Sequence, residues 1–378
     1  MRIGIDARYL SHGLAGGVHT YVRELIRALV ALGTPNEFVL YADTKDRFEL
    51  DGLGPRVAVR ALPWRGPWST IANDLRFARV LAGEGVDVAH FPANYGIGPA
   101  GVATVVTLHD ALNLAPLLEA FSSHGSKQTA RSRATSAYLR WWTWRSIRRA
   151  DLVLTVSEFS RAEILKVAGL PADRVVAIPH GAPPQGRDNK RPSETTRQAL
   201  GIETAFVLAD ALKNPEVLVR AWAALPGGVR GDRKIVFFAR HERLLPSVGK
   251  ALESGVARLV LRPSADQLAA LYSLADAFVF PSWIEGFGIP ALEAMTYGAP
   301  LICSARGALP EVVGDAARLV DPDDVQGLAR ALTAVLSQPG EAERLRDRGR
   351  KRSAKFSWQQ TAERVLDCYE RAVRDRRT

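Results

Sequence analysis

The sequence has little cysteine: Cys303 and Cys368 are the two among 378 residues. This count provides no disulfide framework, so a reducing cytoplasm is the expected compartment. No apolar run approaches the length of a membrane span, and the chain opens on the strand-like stretch Arg2–Asp6 instead of a signal peptide. Histidines, cysteines and carboxylates occur nowhere at metal-ligand spacing, so we expect no metal site. These absences disfavour disulfide-rich, membrane-spanning and metal-centred proteins.

Charge, by contrast, is abundant and mainly positive. The chain carries 50 Lys and Arg against 40 Asp and Glu, a formal charge of +10. An anionic donor substrate, an anionic membrane surface or nucleic acid would each account for this excess. Arginine outnumbers lysine, a bias that a GC-rich genome also produces without any function. No nucleic-acid-binding motif is present, so nucleic acid is not an expected partner.

The length and a hydrophobic fraction of 47% allow two domains, each with its own core. Short apolar runs alternate with amphipathic segments, which is typical of parallel sheets covered by helices. Strand candidates are 2–6, 37–41, 57–62, 86–91, 103–108, 150–156 and 174–178, then 205–209, 234–239, 258–261, 277–280 and 300–303. Residues 182–200, rich in Pro, Arg, Ser and Thr, look like a linker. We therefore predict an α/β protein with two Rossmann-like, doubly wound lobes, residues 1–181 and 201–357.

One stretch of the second half carries the most chemical information. The apolar run Ala277–Pro281 predicts a buried strand, and a glycine-spaced loop follows it. Pro290 then suits the start of a helix, because its missing N–H is not needed there. Together with the helix dipole, backbone amides in the loop would favour an anion such as a diphosphate. The amides in question are those of Gly286, Phe287 and Gly288.

Two glutamates accompany this loop. Glu285 lies within it, and Glu293 is expected in the first turn of the helix. A carboxylate accepts two hydroxyl protons at once, so a glutamate pair beside an anion site suits a ligand with diols and phosphates, such as a nucleotide sugar. An isolated pair at this spacing is more often a surface feature. The strand, the glycines, Pro290 and the later Gly298-Ala-Pro300 occur together here, which favours the binding role.

This pattern resembles the signature of two glutamates separated by seven residues in retaining glycosyltransferases of family four, which have the GT-B fold. Glu285 and Glu293 occupy the two glutamate positions. The resemblance runs over nearly the whole chain and is strongest from Leu268 to Pro322. It implies two lobes facing a cleft, and a C-terminal helix, at about 358–378, that crosses back to the first lobe. The first lobe would take the acceptor and the second lobe the nucleotide sugar.

The resemblance also assigns residues of the first half to the site. Gly16 and Gly17 open the first helix, where bare glycines and the helix start suit a phosphate or the acceptor. His109, which ends a central strand, stands at the family's His-Asp pair and would hydrogen-bond the transferred sugar. Two alternatives are a glycine turn required only by packing and a dinucleotide site in which Asp43 binds a ribose. The glycine spacing breaks the usual dinucleotide fingerprint.

Cations are expected beside the diphosphate, because a departing nucleoside diphosphate gains negative charge. Lys213 stands where the family places a lysine on the donor diphosphate. Shortly before it the family usually carries Gly-Arg, whereas this chain has Ala209-Asp210, and an acidic residue there would repel the donor. Arg240 and Arg262 follow strand ends in the same lobe and would supply the missing charge. Surface arginines are the alternative reading for both.

Basic and aromatic residues interleave between Lys127 and Arg149. The segment contains Tyr138, Trp141, Trp142 and Trp144 among seven basic residues. Such a helix can lie in an anionic membrane interface, which would make the protein peripheral on the inner face of the membrane. A helix that packs its tryptophans on the lobe and leaves its arginines in solvent is the equal alternative.

The reaction that the resemblance implies is transfer of a hexose from a nucleoside-diphosphate sugar to a hydroxyl acceptor, with retention and without a metal. The acceptor would be a saccharide or lipid-linked molecule in polysaccharide biosynthesis. GDP-mannose is the narrower expectation for the donor, from likeness to bacterial polysaccharide mannosyltransferases, and a UDP-glucose-type donor is the alternative. A sugar phosphorylase, a sugar-phosphate synthase and a catalytically silent pair of lobes are rival readings, and Asp210 is the best support for the silent pair.

Overall fold

The computed structural model describes residues 1–12, 16–50, 52–112, 114, 130–183, 200–242 and 244–377. The chain divides into two compact units. Unit 1 contains Met1–Gly181 and Ser357–Thr378, and unit 2 contains Ala182–Phe356. The last helix thus belongs to unit 1, which confirms the expected return of the C-terminal segment to the first lobe. Of the expected linker, residues 184–199 lie outside the described part of the chain.

The sheet of unit 1 is parallel throughout. Within the described residues it has seven strands in the order β3-β2-β1-β4-β5-β6-β7. Their bounds are Arg2–Asp6 (β1), Glu37–Asp43 (β2), Val57–Leu62 (β3), Val88–Phe91 (β4), Ala103–Thr107 (β5), Leu152–Thr155 (β6) and Val175–Ala177 (β7). Ile3 of β1 is aligned with Phe38 on one side and Val88 on the other, so β1 is central. The strand order reverses between β1 and β4, the position where ligands bind in open sheets of this kind.

The helices of unit 1 follow the amphipathic stretches of the sequence. The first four are α1 (Gly17–Ala31), α2 (Pro67–Gly83), α3 (Ala130–Arg149) and α4 (Glu158–Ala168). The buried residues of α1 recur at the helical period: Tyr21, Val22, Leu25, Ile26 and Leu29. Local signals mark both ends of α4: the Ser157 hydroxyl accepts the N–H of Ser160 at its start, and Gly169 in the left-handed conformation follows its end.

Unit 2 repeats the same architecture with a shorter sheet. Among the described residues its parallel strands lie in the order β10-β9-β8-β11-β12-β13. Their bounds are Phe206–Asp210 (β8), Lys234–Ala239 (β9), Ala257–Leu261 (β10), Ala277–Phe280 (β11), Leu301–Ser304 (β12) and Ala317–Val320 (β13). The sequence did not predict β13. It is an edge strand with Leu319 40% exposed, so it lacks the apolar run by which the buried strands were identified.

Most helices of unit 2 connect successive strands, and the last two follow β13. The helices are α5 (Pro215–Ala224), α6 (Gly227–Arg230), α7 (Pro246–Glu253), α8 (Ala265–Leu274), α9 (Ile289–Thr296), α10 (Leu309–Val313), α11 (Val325–Ser337) and α12 (Pro339–Ser353). Ser264 and Gln267 form a capping box at the start of α8, in which each side chain accepts a backbone N–H of the other residue. Each strand–helix connection therefore brings a loop to the carboxyl edge of the sheet, where side chains can meet.

The last helix, α13 (Trp358–Arg377), docks on unit 1 through a polar contact as well as an apolar one. Val365 and Tyr369 are fully buried on its inner face. The Tyr369 hydroxyl lies 2.6 Å from Nδ1 of His90 in β4, whose Nε2 lies 2.8 Å from Oγ1 of Thr107 in β5. The same Oγ1 lies 3.1 Å from the hydroxyl of Tyr21 in α1. A short chain of hydrogen bonds therefore crosses the interior of unit 1.

Three histidines of unit 1 are buried and uncharged. Burial lowers the pKa of His90 to about 3 and that of His109 to about 4, and it holds the pKa of His180 well below its usual value. The unfolded chain binds a proton at each of them below a pKa of about 6.5. Because these folded-state pKa values are depressed, the folded state is favoured fully above that pH and progressively less as pH falls.

We predict that the free energy of unfolding of the whole chain falls between pH 7 and pH 5, by about 2 kcal/mol each for His90 and His109, and that His180 adds to the fall. Urea denaturation at the two pH values measures it. Most carboxylates titrate below this window, so they contribute little to the change. The His90→Gln variant should show a weaker pH dependence than the wild type, by about 2 kcal/mol over this range. Equal unfolding free energies at pH 7 and pH 5 would contradict the assignment of neutral buried imidazoles.

Candidate active site

The carboxyl edge of the unit 2 sheet gathers most of the predicted site residues. Strands β8 and β11 are neighbours, and the strand order reverses between them. The loop after β8 carries Lys213, and the loop after β11 carries Ser282 and Glu285. Because the carboxyl ends of parallel strands lie at one edge, these two loops meet at the point where ligands bind in open α/β sheets.

Lys213 and Glu285 form an ion pair across this point. The Lys213 Nζ lies 2.8 Å from Glu285 Oε1, and the buried Ser282 hydroxyl donates to the same oxygen at 2.7 Å. Burial lowers the pKa of Lys213, but the attraction of Glu285 and Asp210 outweighs it and holds that pKa above its usual value. The lysine side chain is 41% exposed against 15% for the glutamate, so the ammonium is the group that a ligand can reach.

Asp210, the residue expected to repel a diphosphate, is buried at the end of β8. It is 8% exposed, and its Oδ1 accepts the backbone N–H of Leu212 at 2.8 Å. Burial raises its pKa, while this hydrogen bond and the charges of Lys213 and Arg240 oppose the rise. Asp210 thus closes the turn that leads to Lys213, within a neighbourhood that contains two cations.

Asn214 fixes the loop that carries Lys213. Its backbone is left-handed, with φ 54°, and it precedes the first residue of α5. Its amide donates to the carbonyl of Pro281 at 3.1 Å and to that of Pro322 at 2.8 Å. One side chain therefore ties the loop after β8 to the ends of β11 and β13. Sequence reasoning assigned no role to Asn214, although asparagine before a helix-starting proline indicates a left-handed turn.

The glycine-spaced loop turns into α9 as expected. Gly288 is left-handed with φ 97°, and a Cβ there would lie 2.5 Å from Leu309. Phe287 is 4% exposed and its ring packs edge-on against Phe356 at 5.8 Å. Only the backbone of Phe287 can therefore serve a ligand, in line with the predicted role of the Gly286–Gly288 amides.

Glu293 lies one turn later than expected. Since α9 begins at Ile289, Glu293 is its fifth residue and belongs to the second turn, so the prediction of a first-turn position was wrong. The hydroxyl of Tyr272, a fully buried residue of α8, donates to Glu293 Oε2 at 3.2 Å. Burial, with a further contribution from Glu293, raises the pKa of Tyr272 well above its usual value, so this donor stays protonated. Sequence reasoning missed Tyr272, which orients the carboxylate.

The structure separates the two arginines that were predicted to support the lysine. Arg240 follows β9, and its charge acts on Asp210, Lys213 and Tyr272, so it belongs to the same cluster. Arg262 follows β10 with φ 49° and pairs with Glu242 at 3.0 Å, both side chains being largely exposed. An exposed pair of this kind contributes little in water. Arg240 is therefore better placed than Arg262 to add positive charge beside Lys213.

A second loop, after β12, holds the backbone of Glu285. The N–H of Ala308 donates to the Glu285 carbonyl at 3.0 Å. Gly307 has φ 66°, and a Cβ there would lie 2.8 Å from the Glu285 carbonyl oxygen and 2.9 Å from its nitrogen. Close approach of two backbones thus requires glycine at this position. Sequence reasoning missed Gly307, whose one signal is its place shortly after a strand end.

The predicted residues of unit 1 lie at the start of α1 and after the end of β5. Gly16, with φ 155°, precedes Gly17, the first residue of α1; Gly13 lies outside the described residues. His109, 8% exposed, follows β5, and its backbone N–H donates to Asn94 Oδ1 at 2.9 Å. Its Nε2 lies 2.9 Å from the Pro92 carbonyl. A carbonyl only accepts, so Nε2 carries the proton and Nδ1 is left as an acceptor.

No helix among the described residues is long and apolar enough to cross a bilayer. No group of three or more His, Cys, Asp or Glu side chains in this part of the chain is arranged to hold a metal ion.

Comparison with known proteins assigns both units. Residues 208–352 match the model of glycosyl transferases group 1, and residues 15–185 match that of Glycosyltransferase Family 4. The MMP alpha-(1->4)-mannosyltransferase of Mycolicibacterium hassiacum is 30% identical, over 99% of this chain and 98% of that protein. This chain belongs to glycosyltransferase family 4.

Other relatives of this glycosyltransferase agree. The O-antigen chain mannosyltransferase B of Escherichia coli is 32% identical over 59% of this chain and 61% of that protein. Among solved structures, sucrose-phosphate synthase from Thermosynechococcus elongatus has a TM-score of 0.74 at 22% identity, covering 98% of both chains. That likeness confirms the GT-B fold, with its two Rossmann-like lobes.

We predict that Gly307→Ala displaces Glu285 in this glycosyltransferase and lowers the transfer rate at least about ten-fold, because the added Cβ overlaps the Glu285 backbone. Gly255→Ala is the matched control, since Gly255 has φ 71° and open space around it. Both variants carry the cost of about 1 kcal/mol for a left-handed alanine, which thermal unfolding measures. Equal transfer rates in the two variants would show that the Gly307 contact does not position Glu285.

Proposed function

We propose that this glycosyltransferase is a retaining hexosyltransferase that works without a metal ion or a cofactor. The observation that carries the proposal is a cluster of charged residues at the switch point of the unit 2 sheet, the place where the strand order reverses between β8 and β11. There Lys213 pairs with Glu285 at 2.8 Å beside Arg240. Two cations and the start of α9 offer positive charge to a diphosphate, the task that a divalent metal performs in other transferases. Glu285 and Glu293 add acceptors for hydroxyl groups.

Each group then has one role toward a nucleoside-diphosphate sugar. Lys213, Arg240 and the Gly286–Gly288 amides bind the phosphates. An ammonium has three N–H donors, so Lys213 can keep Glu285 while it binds phosphate oxygens. Glu293 binds the ribose diol and Glu285 the hydroxyls of the sugar. From unit 1, His109 accepts a hydrogen bond from the transferred sugar through Nδ1, and the Gly16-Gly17 turn serves phosphate or acceptor.

The reaction proceeds on one face of the sugar. The bond between the anomeric carbon and the phosphate oxygen breaks, and its electron pair leaves with the phosphate. The acceptor oxygen forms the new bond on the same face, and its proton passes to the departing phosphate oxygen. This sequence explains retention without a carboxylate nucleophile, in agreement with the engagement of Glu285 Oε1 by Lys213 and Ser282.

Mannose is the sugar that we propose, carried on GDP, because two relatives are named mannosyltransferases. A UDP-glucose-type donor is the alternative, and the acceptor is a saccharide or lipid-linked hydroxyl in polysaccharide biosynthesis. The reading of a silent pair of lobes loses its main support, since Asp210 is buried in a turn.

We predict that Glu293→Ala weakens GDP or UDP binding about ten-fold or more, because a carboxylate that accepts ribose hydroxyls is lost. Glu285→Ala should instead lower kcat strongly and leave nucleotide affinity equal or tighter, because Lys213 loses its partner and turns to the diphosphate. Calorimetry and a transfer assay with a panel of nucleotide sugars measure the two effects.

Glu311→Ala is the control for both, since Glu311 lies exposed in the first turn of α10. It should change neither affinity nor kcat. Loss of nucleotide affinity in Glu285→Ala but not in Glu293→Ala would reverse the assigned roles, and no affinity of the wild type for any nucleotide would end the proposal.

We also propose that α3 contacts an anionic membrane surface from the cytoplasmic side. Trp142 is buried, but Trp141 is 55% exposed, and Arg145 stacks on it at 5.4 Å. Arg148 stacks on Trp144 at 5.0 Å. An open groove of about 310 Å³ is lined by Trp141, Trp144, Arg145, Arg148 and Arg149. Residues 127–129 of the segment lie outside the described chain.

The membrane contact predicts flotation with liposomes that contain anionic lipid and not with neutral liposomes, since each basic residue near such a surface contributes about 1 kcal/mol. The triple variant Arg145→Gln, Arg148→Gln, Arg149→Gln should lose flotation. An equal loss of charge in unit 2, by Arg220→Gln, Lys234→Gln and Lys250→Gln, should leave it intact. Indifference to lipid charge, or equal loss in both variants, would refute the contact.

A further inference from the structure

The polar chain inside unit 1 joins α13 to the neighbourhood of His109. Tyr369, His90, Thr107 and Tyr21 are each at most 2% exposed. Their contacts measure 2.6 Å from the Tyr369 hydroxyl to His90 Nδ1, 2.8 Å from His90 Nε2 to Thr107 Oγ1, and 3.1 Å from that oxygen to the Tyr21 hydroxyl. All three are hydrogen-bond distances, so the chain is continuous.

The direction of each hydrogen bond in this chain depends on the others. A neutral imidazole has one donor nitrogen and one acceptor nitrogen, so the two partners of His90 must play opposite roles. Burial keeps His90 neutral by lowering its pKa to about 3, and it raises the pKa of Tyr369 well above its usual value. Removal of the Tyr369 hydroxyl therefore frees the tautomer of His90, and through it the hydrogen bond between Thr107 and Tyr21.

Tyr21, the last member of this chain of hydrogen bonds, contacts His109 directly. Its ring meets the His109 ring edge-on, with centroids 4.8 Å apart and planes at 86°. It also meets His180 edge-on at 5.0 Å. The Pro92 carbonyl accepts a hydrogen bond from His109 at 2.9 Å, and the His180 ring lies 5.9 Å from the His109 ring. The Tyr21 ring, the His180 ring and this hydrogen bond thus set the direction of His109 Nδ1.

The stability of the fold does not by itself explain why four polar groups are buried together in the interior of unit 1. Apolar side chains of the same shape would fill the space without the desolvation that four buried polar groups require. Satisfied buried networks hold their members in one arrangement, which apolar packing does less strictly. Among the members of this chain, Tyr21 contacts His109, so a fixed Tyr21 ring would also fix the orientation of His109.

We propose that Tyr21 is a positioning residue for His109 and that α13 holds it in place through Tyr369, His90 and Thr107. This inference rests on the proposed role of His109 toward the transferred sugar. It assigns a function in the site to α13, a helix from the far end of the sequence.

The test uses the full-length chain with Tyr369→Phe and Tyr21→Phe, which keep each ring and remove one hydroxyl. We expect kcat to fall about ten-fold in each variant, while the affinity for the nucleotide, bound by unit 2, stays unchanged. The double variant should lose no more than either single one, because both break the same chain. Long-range 1H–15N spectra should show altered His90 and His109 ring signals in Tyr369→Phe.

Val365→Ala is the control for stability, since Val365 is fully buried one turn before Tyr369 and lies outside the chain of hydrogen bonds. It should destabilise the protein and leave kcat and the His109 signals as in the wild type at temperatures below unfolding. Unchanged His109 signals in Tyr369→Phe would overturn the proposal, as would an equal fall of kcat in Val365→Ala. Shifted signals with unchanged kcat would overturn the link to catalysis.

The spectra also separate this inference from the proposed function. If the wild type transfers no sugar from any nucleotide donor, the proposed function fails, yet the His109 signals of Tyr369→Phe still decide whether α13 positions that ring.

Discussion

The ion pair of Lys213 and Glu285 is the contact on which the account of this protein depends. It joins two loops that begin at neighbouring parallel strands, and it exists only because β8 and β11 end at the same edge of the sheet. Its surroundings hold it rigid: Asn214 fixes the loop of the lysine, and Gly307 permits the backbone approach that fixes the loop of the glutamate. A site supported in this way is preorganised before a ligand arrives.

Unit 1 places its candidate site residue, His109, in surroundings that differ from those of the charged cluster in unit 2. Unit 2 relies on charges, whereas the interior of unit 1 contains neutral imidazoles whose pKa values burial depresses. A neutral His109 offers a hydrogen-bond acceptor and brings no positive charge to the site, which suits a sugar hydroxyl better than a phosphate. The two units therefore offer different chemistry: unit 2 offers cations, and unit 1 offers an uncharged ring that accepts a hydrogen bond.

Much of the fold could be predicted from the sequence, because buried parallel strands are short apolar runs and helices repeat at their own period. β13 was not predicted, because an exposed edge strand lacks such an apolar run. Within the site, spacing after strand ends identified Glu285 and Lys213, but not their pairing, since contacts between loops distant in sequence arise from strand order. Sequence reasoning also failed to predict the burial of Asp210 and the turn of α9 that holds Glu293, because both depend on where neighbouring elements end.

The most direct test concerns the charge of Lys213. Calorimetric titration of Lys213→Gln with GDP, UDP and the matching nucleosides separates binding of the diphosphate from binding of the rest of the nucleotide. The account predicts that the variant loses about ten-fold or more in affinity for the diphosphates and nothing for the nucleosides. Equal diphosphate affinity in the variant and the wild type would contradict it, because the switch-point cluster would then not be the diphosphate site.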